Sequence, residues 1–167
     1  MRGTKYKGGF SLIEVLVAIL LVGLAIAALV VTSSSFTQAN AAGTYLSTAE
    51  FLAEQIRELT ILLPVVDPQT EDATFGPEAD EPTLADYDDL DDFDGASFSP
   101  PINADRAALN ECDAFTQQIT VQNVSAGDFE QVIPDGTSNF VRVTVKVFLN
   151  SEQLLSTDWV RAWYEDP

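Results

Sequence analysis

The chain has 167 residues, which suits one modest domain, with 46% hydrophobic residues and a formal charge of −18 from 26 acidic and 8 basic side chains. That acidity repels phosphate backbones and argues against direct nucleic-acid binding. With no histidine, Ser-His-Asp and Cys-His catalysis are ruled out, and without a G-x-x-x-x-G-K-[ST] or G-x-G-x-x-G run an enzyme would rest on carboxylates alone.

In chain order, Arg2, Lys5 and Lys7 open the sequence, and the next basic residue is Arg57. Between Phe10 and Val31 only Ser11 and Glu14 are polar, and Val15 to Val31 is an unbroken apolar run. About 20 residues at 1.5 Å rise cross a hydrocarbon core, so this stretch predicts a single membrane-spanning helix. The positive charge ahead of it predicts a cytoplasmic N-terminus, with everything after Val31 on the other side.

After the polar Thr32 to Ser35, apolar residues return at Leu46, Ala49, Leu52, Ala53, Ile56, Leu59 and Leu63. Spacings of three and four mark one helix face, so the helix is predicted to continue from residue 10 to residue 63, where Pro64 and Pro68 stop it. Gly23 and Gly43 are the positions at which it could bend. The expected divisions are a leader at 1–9, a membrane half of the helix at 10–34 and an amphipathic half at 35–63.

Residues 64–112 are rich in Pro, Asp and Glu and hold no basic residue between Arg57 and Arg106. They read as a long acidic loop with short ordered turns. Cys112, the only cysteine, reads as a partly buried small side chain with no partner for an internal disulfide. From 113 to 167 the period becomes two: Phe115, Gln117, Ile119 and Val121 alternate with polar residues, as do Val141, Val143, Val145, Val147 and Leu149. Asp135-Gly136 and Asn150-Ser151-Glu152 read as turns, with a last strand from Leu154 to Tyr164. Three antiparallel strands with one apolar face need cover, and the amphipathic half of the helix supplies it, giving an α+β class.

The run Gly8-Gly9-Phe10-Ser11-Leu12-Ile13-Glu14-Val15-Leu16-Val17-Ala18-Ile19 resembles the cleavage and methylation signature of type IV prepilins and type II secretion pseudopilins. The resemblance implies a pilin-like fold, a cut between Gly9 and Phe10 by a membrane prepilin peptidase, and an N-methylated Phe10. It also implies storage in the inner membrane, then assembly with other pilin subunits on an inner-membrane platform. A carboxylate inside a membrane helix calls for a partner. Glu14 would find one in the Phe10 ammonium of a neighbouring subunit, formed only after the cut. Two other readings compete: a secretory signal peptide, since Ala39-Asn40-Ala41 imitates a signal-peptidase site, and a plain signal anchor.

The stretch Leu90-Asp91-Asp92-Phe93-Asp94-Gly95, followed by Ser99-Pro100-Pro101, resembles a segment of minor prepilin-type proteins of the mannose-sensitive-haemagglutinin and pilus-modification kind. The lack of a proline before Pro64 and of a second cysteine points the same way, to a minor subunit. Some pseudopilin-like domains bind calcium, which makes Asp88, Asp89, Asp91, Asp92 and Asp94 candidate ligands. They do not form an EF-hand: with Gly95 in sixth place, Leu90 fills the first and Pro101 the twelfth. The two readings of this segment are a solvated acidic loop and a calcium site. The expected function is structural and non-enzymatic, the alternative being a membrane-anchored calcium-binding or adhesive module.

Overall fold

The computed structural model describes residues 8–66 and 75–163. The chain divides into two units, Met1–Gly43 and Thr44–Pro167. Leader residues Arg2, Lys5 and Lys7, and also Pro68 and Tyr164, lie outside the described residues.

Helix α1 runs from Leu12 to Thr60, and its helical hydrogen bonding continues through Gly23 and Gly43 without interruption. It starts two residues later and ends three earlier than the apolar pattern suggests, because Ser11 caps one end and a turn over 61–63 precedes Pro64. In the first unit, side chains from Phe10 to Val31 are exposed. An 18-residue window of mean hydropathy 3.1 lies within the helix, long and apolar enough to cross a membrane.

In the second unit, Ala49, Leu52, Ala53, Ile56 and Thr60 are the buried residues of α1, at the spacing of one face. They meet an antiparallel sheet of five strands: β1 (Ser97–Phe98), β2 (Phe115–Ser125), β3 (Asp128–Val132), β4 (Phe140–Leu149) and β5 (Glu152–Ala162). The order is β1-β2-β4-β5, with β3 pairing β2 off this path. The expected three strands are thus β2, β4 and β5. The two added ones were hidden because β1 has only two residues inside an acidic stretch and β3 is exposed along its whole length, leaving no alternation to detect.

Register follows the valine ladder. Gln117, Ile119, Val121 and Asn123 of β2 stand opposite Val147, Val145, Val143 and Val141 of β4. The four valines are completely buried, and β-branched side chains suit a pleated surface covered on one side. The β4–β5 hairpin turns at Asn150 and Ser151, whose φ values of 48° and 72° are both positive, as a two-residue turn matching strand twist requires.

Polar groups close the core. Gln117 is fully buried in β2: its amide donates to the carbonyls of Leu52 (2.8 Å) and Ile102 (3.1 Å) and accepts from the Ile102 N–H (2.8 Å). Arg161 of β5 donates to the Thr60 and Leu63 carbonyls at 2.7 and 2.9 Å, satisfying acceptors that a helix end otherwise leaves open. Helix, inner loop and sheet are bound into one unit by these side chains.

Candidate assembly terminus and acidic cluster

Two places concentrate chemistry. At the N-terminus, residues 8–11 are non-helical and exposed, and nothing lies within 4 Å of a Cβ built on Gly9. The Gly9–Phe10 bond therefore sits in exposed, irregular chain just before α1. Ser11 and Glu14 form a reciprocal cap: the Glu14 N–H donates to Ser11 Oγ (3.3 Å), and the Ser11 N–H donates to Glu14 Oε2 (3.4 Å). This is a capping box, Ser-x-x-Glu, and it pairs donors at the head of the helix that have no intrahelical partner. The motif is legible in Ser11-Leu12-Ile13-Glu14, where the spacing of serine and glutamate is that of a capping box.

The acidic cluster lies in the second unit, on the segment between α1 and β2. A 3₁₀ turn over Asp91–Phe93 places Leu90 and Phe93 in the core, both fully buried. Burial of these apolar anchors carries the flanking aspartates inward with them. Asp89 and Asp92 are 0% exposed and Asp91 is 1% exposed, which corrects the expectation of a solvated loop. The two inner aspartates brace each other: Asp92 Oδ2 accepts from the Asp88 and Asp89 N–H groups (2.9 and 3.1 Å), and Asp89 Oδ1 accepts from those of Asp91 and Asp92 (3.0 and 3.2 Å). The second oxygens, Asp89 Oδ2 and Asp92 Oδ1, are buried without a partner, as are both carboxylate oxygens of Asp91 and of Glu78.

Glu78, Asp89 and Asp92 offer oxygens within 4.8 Å of one another, and so do Glu81, Asp88 and Asp92. Of the five aspartates singled out from sequence, Asp88, Asp89 and Asp92 come together, and Asp91 is buried beside Asp89. Asp94 does not join them: its Oδ1 accepts from the Val121 N–H at 2.8 Å, tying the turn to β2. Glu78 and Glu81 were missed. They lie about ten residues upstream, across prolines and turns that no periodicity spans, so only folding brings them in.

The electrostatics are severe. Burial, with the Glu81 carboxyl alongside, pushes Asp92 up to about 7; burial, with Asp89 alongside, pushes Asp91 up to about 10. Glu78 is raised by burial and by repulsion from Asp89 and Asp92. Two carboxyl groups that approach hydrogen-bond only while one keeps its proton; ionised, both are acceptors alone. No basic side chain neutralises them, since the ion pairs among the described residues are Arg57–Glu54 and Arg142–Glu130. Arg106 reaches the segment but donates to the carbonyls of Leu84 (2.7 Å), Ala85 (3.3 Å) and Tyr87 (2.6 Å).

Residues 4–30 match the family model described as the prokaryotic N-terminal methylation motif. The chain thus carries the prepilin-type signature, on the segment that the structure shows as an exposed junction leading into a long apolar helix. That motif supports a type IV pilin-like or pseudopilin-like protein, processed by prepilin peptidase and anchored through its apolar helix. No curated protein and no solved structure matches the chain.

Proposed function

We propose that this chain is a structural subunit, of the minor kind, of a type IV pilus or type II secretion pseudopilus. The match of residues 4–30 to the methylation motif carries the reading. Helix α1 supports it: from Leu12 to Val31 it presents large apolar side chains that no other described residue covers, such as Leu12 at 82% and Leu29 at 72% exposure. Lipid covers such a surface in the stored subunit, and neighbouring helices cover it in a filament. The N-terminus lies in the cytoplasm, the second unit outside the inner membrane, and assembly draws the subunit out of the bilayer.

Intact mass of the protein purified from membranes tests the first step. The expected chain begins at Phe10 and carries one added methyl group. A chain beginning at Ala42 would instead point to ordinary signal peptidase acting after Ala41.

A further inference from the structure

The acidic cluster needs an explanation that filament assembly does not provide. Fully burying a carboxylate is costly unless it is paired, and removing its partner leaves the whole desolvation penalty in place. Asp89 and Asp92 are completely buried, each keeps one oxygen without a hydrogen-bond partner, and each offers a carboxylate oxygen to the cluster. Each holds its unpartnered oxygen while the other one is fixed by two backbone N–H groups, so neither can turn away to relieve repulsion without breaking the turn. Glu78 adds two further buried, unpartnered oxygens.

The composition of the cluster selects its ligand. Every donor is a carboxylate oxygen; the chain has no histidine, and its one cysteine, Cys112, is outside both triads. All-oxygen sets suit hard cations rather than zinc or copper. Oxygens that ligate one calcium ion, each at about 2.4 Å, lie no more than about 4.8 Å apart, and the candidate oxygens of each triad lie within that limit of one another. The surroundings are irregular chain, with turns over residues 79–80 and 83–86. Calcium accepts six to eight oxygens in flexible geometry, whereas magnesium demands a near-ideal octahedron and keeps its water.

We propose that Glu78, Glu81, Asp88, Asp89 and Asp92 bind one calcium ion, with Asp92 shared between the two triads. The exposed Asp88 and half-buried Glu81 open the site to water on one side, which screens the charge in excess of the ion's own. The ion clips residues 78–81 to the 88–92 turn. Through Leu90, whose N–H donates to the Pro64 carbonyl, and through Asp94 on Val121, that turn is already tied to the chain just after α1 and to β2. Calcium is therefore a structural ligand of the second unit, and its binding does not depend on whether the chain is cleaved or assembled.

The test uses the full chain in detergent, stripped with EDTA and titrated with calcium chloride or magnesium chloride by calorimetry and thermal melting. Calcium at about 1 mM, the range of extracellular modules, is expected to give binding heat and a higher melting temperature, with magnesium at least tenfold weaker. Glu78→Gln removes a charge whose oxygens accept no hydrogen bond, so the metal-free melt should hold or rise while calcium affinity falls at least tenfold. Asp92→Asn retains an oxygen for the Asp88 and Asp89 amides and should do the same. Absence of heat and of any shift overturns the proposal, as does unchanged calcium affinity in both variants. Equal binding of magnesium overturns the choice of calcium.

Discussion

Glu14 combines a cap and a charge, and substitution can separate them. Its carboxylate accepts from the Ser11 N–H in the capping box, a contact that glutamine could also make. Its charge is a different matter: a carboxylate in a membrane helix calls for an opposite charge, and on the proposed function the ammonium that cleavage creates at Phe10 of a neighbouring subunit would be that partner. Glu14→Ala removes cap and charge, whereas Glu14→Gln removes the charge alone. Both variants are expected to be cleaved after Gly9, to keep a folded second unit, and to enter sheared filaments at least tenfold less than wild type, as measured by immunoblot. Wild-type incorporation of Glu14→Gln would show that the cap, not the charge, is what assembly needs.

In β2, Gln117 decides how the inner loop meets the helix. Its amide pairs both the N–H and the C=O of Ile102, itself 4% exposed, and bonds the Leu52 carbonyl of α1. Leucine has similar volume but neither donor nor acceptor, so Gln117→Leu leaves the Ile102 groups buried and unpaired. The expected loss is about 2–6 kcal/mol, from about 1–3 kcal/mol for each of the two groups, read from urea unfolding of the calcium-free protein.

The 3₁₀ turn at Asp91–Phe93 predicts an unusual response to pH. A carboxyl raised in the folded state holds its proton more firmly there than in the unfolded chain, so the folded state binds more protons and stability falls as pH rises. For Asp92 the fall extends from about 4, the ordinary aspartate value, to about 7; Asp91 extends it towards about 10. Glu78, Glu81 and Asp89 face these groups and their proximity favours the protonated forms further. In EDTA the melting temperature should therefore drop between pH 5 and pH 8. Asp92→Asn should make that slope shallower, whereas a slope unchanged by the substitution would assign it to the general acidity of the chain.

The two units have contrasting relations to their surroundings. From Leu12 to Val31 the first presents exposed apolar side chains, and on the proposed function lipid or neighbouring helices cover them. The second contains its own core, in which Ala49, Leu52, Ala53 and Ile56 meet Ile119, Val121 and the four valines of β4. Each large apolar side chain so buried contributes about 1.5–3 kcal/mol. Changes in the second unit's core are thus changes in folding, while changes between Val15 and Val31 bear on anchoring and, on the proposed function, on assembly.

The sequence alone determined the elements that rest on local repetition. A continuous apolar run marks the membrane helix, spacings of three and four mark the buried face of α1, and alternating valines mark β4. The methylation motif is contiguous, so Gly9, Phe10 and Glu14 could be read directly. Tertiary structure decided what depends on burial and on residues distant in the chain. It turned the expected solvated loop into a carboxylate cluster, because Leu90 and Phe93 enter the core and draw Asp89, Asp91 and Asp92 in with them. It withdrew Asp94 to cap a β2 amide and brought in Glu78 and Glu81. Charge patterning treats acidic residues as solvated, and only the position of a neighbouring apolar anchor reveals which of them lose their water.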